Sequence, residues 1–199
     1  MELWIASSNL GKIREFKSLL APLGLDIHSQ NELSYFSQPK ETGQTFLENA
    51  HIKAKSLHSV KPMAFVVGED SGLEVEGLNN LPGVHSAKYA GPKASDAENV
   101  AKLLKMVSLR CATQRKALLR SFLVLRDPNG QVFEFEGNLE GEISRQQRGR
   151  NGFGYDPVFV PISKELTLAE MELADKNRIS HRSQATHKLV KHLKNSIEL

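Results

Sequence analysis

One cysteine in 199 residues, Cys111, excludes an internal disulfide and any site built on several cysteines, whether zinc or iron–sulfur. No apolar run approaches the ~20 residues that a membrane helix needs. Aromatic residues are 7% of the chain, with a single Trp, and no repeat or low-complexity tract interrupts it. There is little excess charge: 26 Lys and Arg stand against 23 Asp and Glu, a net charge of +3, which is not the footprint of a dedicated nucleic-acid binder. The opening Met1-Glu2-Leu3-Trp4-Ile5-Ala6-Ser7 has an acid where a secretion signal carries a base, so a cytoplasmic setting is expected. The seven histidines lack zinc spacing, and no serine sits in a Gly-x-Ser-x-Gly elbow.

What is present is an ordinary globular composition, 40% hydrophobic and 25% charged, long enough for one sizeable core. Leu3–Ala6 reads as a short buried strand. A helix follows with Leu10, Ile13, Phe16 and Leu20 on one face, closed by Pro22 and Gly24. Leu25–His28 suits a second strand. Thr45 and Glu48 have capping-box spacing ahead of a helix with Leu47, Ala50, Ala54 and Leu57. Met63–Val67 suits a central strand buried on both faces, and Leu73–Glu76 a half-exposed one. Ser95 and Glu98 form a second capping box, before Val100, Leu103, Leu104 and Val107. Lys116–Arg126 and Gln131–Phe135, separated by Asp127-Pro128-Asn129-Gly130, form a hairpin. Helical stretches near Thr167–Ala174 and Ser183–Lys194 close the chain. The expected architecture is α/β, one domain over residues 1–199 with a mixed sheet.

Four segments carry candidate chemistry. Ser7-Ser8-Asn9-Leu10-Gly11-Lys12 leaves a strand and opens a helix, where unpaired N–H groups and the helix dipole favour phosphate. Alternatively, Asn9 merely caps that helix. Gly68-Glu69-Asp70-Ser71-Gly72 places adjacent carboxylates at the carboxyl end of the central strand, a ligand position in α/β folds. Such oxygens suit Mg²⁺, with Glu41 as a further acid; a tight turn is the alternative. The segment from Arg145 through Arg148 and Arg150 to Phe153-Gly154-Tyr155-Asp156 offers arginines for phosphate and aromatics for stacking. Lys176, His181 and Arg182 are donors in what reads as a solvated loop between helices. Cys111 reads as a core residue.

The order of these motifs is specific. Ser7–Lys12, Glu41-Thr42-Gly43 with Phe46–Ala50, Glu69–Leu73, Leu81-Pro82-Gly83-Val84, Phe153–Pro157 and Ser180-His181-Arg182 together resemble the non-standard purine NTP pyrophosphatases, the inosine triphosphatase family, over nearly the whole chain. The resemblance implies an elongated mixed sheet flanked by helices, two lobes with a central cleft, and a homodimer. It implies Mg²⁺-dependent hydrolysis of ITP, dITP and XTP to the monophosphate and pyrophosphate, with no nucleic-acid or membrane partner. By position, Ser7, Ser8, Asn9, Leu10, Gly11, Lys12 and Lys53 meet the triphosphate, and Ser71 touches substrate. Asp70 is the proton acceptor and shares the metal with Glu41 and Glu69. Phe153, Gly154, Tyr155, Asp156, Lys176, His181 and Arg182 frame base and sugar. The chain departs from the pattern at Glu69, where many bacterial members carry a second aspartate. The competing reading is a nucleic-acid-binding module that uses Arg145–Tyr155, with Phe153 and Tyr155 as stacking platforms.

Overall fold

The computed structural model describes residues 1–196. Seven strands form one mixed sheet in the order β2-β1-β3-β5-β6-β7, with β4 paired to β3. The chain begins β1 (Glu2–Ala6), α1 (Leu10–Leu20), β2 (Asp26–Ser29), α2 (Phe46–His58) and β3 (Phe65–Val75). It continues with β4 (Leu81–Pro82), α3 (Asp96–Arg110), β5 (Lys116–Arg126) and β6 (Val132–Ile143). β7 (Phe159–Pro161), α4 (Leu173–Ile179) and α5 (His181–Ser196) complete it. Contacts sort these elements into two compact units, and β3, β5 and β6 each contribute a stretch to both.

The first unit comprises Met1–Asp70, Ser121–Gly137 and the stretch from Arg182 onward. Here β1 pairs in parallel with β2 and β3, so each connection must cross over, and α1 and α2 are those crossovers. Side-chain alternation then sorts the faces. Leu3, Ile5, Phe65 and Val67 pack with Phe16 and Leu20 of α1 and Ala185, Leu189 and Leu193 of α5. Trp4, Ala6, Ala64 and Val66 point the other way, onto Leu57 of α2. The strand is therefore buried on both faces, as its apolar run predicts. Gly68 sets the spacing of α2 on β3. A Cβ there would lie 2.3 Å from the Ala50 carbonyl oxygen and 2.5 Å from the Ala54 nitrogen.

The second unit comprises Ser71–Arg120 and Asn138–His181. β4 and β7 pair antiparallel to β3 and β6. Val100, Leu103 and Val107 of α3 join Leu73, Val75, Leu119, Ile143 and Phe159 in one core, which takes in Cys111 as expected. The Ser95–Glu98 capping box forms with both of its hydrogen bonds.

Several expectations need correcting. Residues 68–72 are not a turn: β3 runs unbroken from Phe65 to Val75. Turn-prone Asp-Ser-Gly stays extended, with the Asp70 carboxylate bonded to Lys53 and Asn49 of α2 instead of to its own backbone. Leu10 is exposed, since it is the first residue of α1; Ile13, Phe16, Leu19 and Leu20 make the apolar face. Met63 is likewise exposed and precedes the strand. The Thr45 box is half made, because the Glu48 carboxylate accepts from the Gln44 N–H at 2.6 Å. The return strand of the hairpin extends to Ile143. The helix expected near Thr167–Ala174 is a 3-10 turn (Leu168–Glu170) followed by α4, and only Ser180 separates α4 from α5. Among the described residues no helix is long and apolar enough to cross a membrane.

Candidate active site

The first unit assembles charges from four elements. Adjacent residues of a strand point to opposite faces, so Glu69 and Asp70 on β3 meet different neighbours. The Glu69 side chain is fully buried, with Oε2 2.7 Å from Lys12 Nζ and Oε1 2.9 Å from an Arg182 terminal nitrogen. Arg182 Nε and the Ser121 hydroxyl also donate to Oε1, at 3.2 and 3.1 Å. Burial alone drives this carboxyl upward in pKa, but Arg182 and Lys12 outweigh burial and hold it far below the ordinary range. Arg182 in turn donates to the Glu15 carboxylate and is itself almost wholly buried.

Asp70 faces α2. Gly68 lets the helix approach, and residues four apart on a helix share a face, so Asn49 and Lys53 arrive together. Lys53 Nζ donates to Asp70 Oδ1 at 2.7 Å, and Asn49 Nδ2 donates to Oδ2 at 3.3 Å. Asn49 Oδ1 accepts from the Gly43 N–H at 2.9 Å and so ties down the segment that follows Glu41. Glu41 Oε1 lies 2.9 Å from the same Lys53 ammonium. Burial raises the Asp70 carboxyl above its usual value, and the lysines only partly counter it. Burial acts to strip Lys53 of its proton, yet Asp70 and Glu41 hold its pKa above normal.

The phosphate-type loop lies where expected. Asn9 is the N-cap of α1, its side chain accepting from the Lys12 N–H at 3.0 Å, while the Ile13 N–H bonds to the Asn9 carbonyl. That leaves the N–H groups of Leu10 and Gly11 ahead of the helical ladder, so capping and anion binding are compatible. Ser7 Oγ accepts from the Asn9 N–H, and Ser8 Oγ donates to Gln38.

The second unit carries its own cluster. Asp156 Oδ2 accepts from Lys176 Nζ at 2.5 Å and from the Phe153 N–H at 2.9 Å. Lys176 Nζ stands 4.9 Å from the Phe153 ring centroid. Gly152 has φ +74°, and a Cβ there would lie 2.0 Å from Asp156 Oδ2. The Gly154 N–H donates to Asp96 at 2.7 Å. Ser71 is half-buried, and His181 is buried at the start of α5.

Four placements differ from expectation. Lys176, His181 and Arg182 are not in a solvated loop: they lie on α4 and α5, and all three are buried. Glu41, Glu69 and Asp70 do not converge as three metal-binding acids. Among the described residues no group of three or more His, Cys, Asp or Glu is placed to hold a metal, and Glu69 is turned to cations instead. Tyr155 is no stacking platform: it is packed in the core, its hydroxyl donates to the Ser86 carbonyl at 2.8 Å, and burial pushes its pKa up. Arg148 donates to the Glu165 carbonyl and pairs with Glu170. The nucleic-acid reading thereby loses one of its two aromatics and one of its three arginines. Glu15, Asn49 and Ser121 were not singled out from the sequence. Two of them carried a signal: Glu15 follows Lys12 by three residues and Asn49 precedes Lys53 by four, each sharing a helix face with a candidate.

A model of the Ham1 family matches residues 3–192. The chain belongs to the Ham1 family. Among its relatives, a dITP/XTP pyrophosphatase of Bdellovibrio bacteriovorus is 50% identical, over 93% of this chain and 94% of that protein. A dITP/XTP pyrophosphatase of Bacillus subtilis is 42% identical over 94% of both chains. The fold agrees as well. A HAM1 protein from Coxiella burnetii matches with a TM-score of 0.88 and 38% identity, over 98% of this chain and 99% of that one. The Staphylococcus aureus Ham1 protein matches with a TM-score of 0.86 and 36% identity, over 98% of this chain and 100% of that one. The mixed α/β sheet flanked by helices is thus the fold of the Ham1 family.

Proposed function

We propose that this Ham1-family chain hydrolyses non-standard purine nucleoside triphosphates (dITP, ITP and XTP) to the monophosphate and pyrophosphate. The relatives named dITP/XTP pyrophosphatase support the substrate class. The observation that carries the chemistry is Asp70, a buried carboxylate held between Lys53 and Asn49 of α2, beside a Glu69 held by Lys12 of α1. Phosphoryl transfer is chiefly positioning and charge neutralisation, and these lysines supply both. Lys12 and the N–H groups of Leu10 and Gly11 take phosphate oxygens. Asp70 accepts the proton of a water directed at the α-phosphorus, a role that its raised pKa suits.

A divalent cation fits part of the acidic set. Glu41 and Asp70 both reach one point, Lys53 Nζ, at 2.9 and 2.7 Å. Mg²⁺ takes one or two carboxylates and leaves its other positions to water and phosphate oxygens. When bound, Mg²⁺ supplies positive charge to the phosphate oxygens. Glu41 and Asp70 are the residues that would hold it.

In the second unit, Phe153 and Lys176 provide a ring face and an ammonium for the base, and Asp156 holds both in place. A 6-oxo purine accepts hydrogen bonds where adenine donates, so a site built on donors discriminates against ATP. We assign the protein to the cytoplasm, where the buried, single Cys111 imposes no disulfide, and to a homodimer, as the resemblance implies. The decisive assay incubates the purified chain with Mg²⁺ and a panel of nucleoside triphosphates, with and without added inorganic pyrophosphatase. Orthophosphate that appears only with the added enzyme is expected for dITP and XTP. Orthophosphate and a diphosphate as primary products would refute the reading.

A further inference from the structure

We infer that Glu69 is a positioning residue, which fixes the Lys12 ammonium for the phosphate end of the substrate and takes no part in holding a metal. The inference rests on the pyrophosphatase reading above. Its basis is geometric. Both Glu69 oxygens are engaged: Oε2 with Lys12 at 2.7 Å, and Oε1 with Arg182 at 2.9 Å and Ser121 at 3.1 Å. The side chain has no exposed surface, whereas that of Lys12 keeps 15%. Lys12 is thus the point at which this buried network reaches solvent. Glu69 uses one direction of an ammonium that has three N–H donors, which leaves others to meet phosphate.

The network alternates in charge, Lys12–Glu69–Arg182–Glu15, and is anchored at both ends on α1. Lys12 and Glu15 lie one turn apart there, Arg182 comes from α5, and Glu69 comes from β3. A free lysine side chain loses much rotamer freedom when it binds an anion. Here that freedom is surrendered on folding, so substrate meets an ammonium already in place. Arg182, paired with the carboxylates of Glu69 and Glu15, serves as the brace of Glu69.

The test is a double-mutant cycle on the full chain with Lys12→Met, Glu69→Gln and the pair. Three readouts are needed: melting temperature, Mn²⁺ binding without nucleotide, and steady-state dITP hydrolysis. Glu69→Gln should raise KM for dITP about tenfold or more, on the order of a close charged contact, with kcat little changed. Its Mn²⁺ affinity should equal that of the parent protein. Lys12→Met should raise KM to a similar degree, and the double variant should be no worse than either single one. Weakened Mn²⁺ binding in Glu69→Gln would make Glu69 a metal ligand and overturn the inference, as would KM effects that multiply in the double variant. Should Glu69→Gln fail to fold, the double variant removes cation and anion together and should fold and match Lys12→Met; if it folds without matching, the inference fails. A parent protein that binds Mn²⁺ but leaves dITP and XTP intact would instead refute the pyrophosphatase reading.

Discussion

Replacing Asp70 by Asn separates catalysis from scaffolding. From sequence alone, two neighbouring carboxylates repel, which predicts a variant as stable as the parent or slightly more so. The structure sets two effects against each other: burial raises the Asp70 pKa, so its charge costs the fold, yet that charge also pairs with Lys53. Glu69 is neutralised by Lys12 and Arg182, so it is not what Asp70 interacts with most; Asp70 is the closest partner of the buried Lys53, at 2.7 Å. Asparagine keeps the bond to Asn49 but removes half of the negative charge around that ammonium. Removing one partner of a buried ion pair costs about 3–5 kcal/mol when nothing replaces it. Glu41 stays 2.9 Å from Lys53 and is partly solvated, and the burial cost of the Asp70 charge is relieved, so the net change should lie within about 1 kcal/mol of zero. At roughly 2–4 °C per kcal/mol for a chain of this size, Tm should move by no more than about 4 °C. Turnover should fall by at least ~10²-fold, the lower end for a lost general base. The assay pairs steady-state dITP hydrolysis with a melting curve and circular dichroism, so that a folded but inactive protein is recognised as such. A folded variant with near-normal kcat would refute Asp70 as the base. A fall in Tm of more than about 4 °C would refute the argument that Glu41 and the relieved burial offset the lost charge.

Gly68→Ala should destabilise by about 1–3 kcal/mol, the cost of overpacking, because the new methyl would meet the α2 backbone at 2.3 Å. It should also lower activity in the folded fraction by shifting Lys53, seen as reduced kcat per active site. With Lys176 proposed to serve the base and not the phosphates, Lys176→Met should raise KM for dITP more than it raises Ki for pyrophosphate; equal effects would contradict that division. Stability should also respond to acid through Glu69. Its folded pKa lies below the ordinary value of 4.5, so its contribution is complete above that pH and is lost as the pH falls toward the folded value. Denaturant melts from pH 6 to about 3 should therefore fall less steeply in folded Glu69→Gln than in the parent protein.

The elements that local chemistry determines were legible in the sequence. A short apolar run located β1, a stretch of extended-chain formers ahead of a turn located β5, and reciprocal capping between Ser95 and Glu98 located the start of α3. The readings that failed depended on partners far along the chain. Asp70-Ser71-Gly72 has turn chemistry, and no local signal shows that Lys53 and Asn49, 17 and 21 residues earlier, hold it in a strand. Likewise nothing near Arg182 reveals that Glu15, 167 residues away, and Glu69 will bury it. Motif order identified the candidate residues, but it did not distinguish those that face a ligand from those that brace them.

That distinction follows from the strand itself. A turn would have presented Glu69 and Asp70 on the same side, as two like charges awaiting a metal. A strand sends them to opposite faces, where α1 and α5 supply cations to one and α2 supplies a lysine to the other. Each carboxylate is thereby charged and neutralised before any ligand arrives, so the unit can fold with both acids buried. The two are not equivalent afterwards. Glu69 is held by two cations and a hydroxyl, whereas Asp70 is held by one ammonium and an amide at 3.3 Å, and its pKa is raised instead of lowered. The more loosely held and more basic carboxylate is the one that can exchange partners and accept a proton. On these grounds Asp70 is the residue proposed as the base, and Glu69 is the one proposed to hold Lys12.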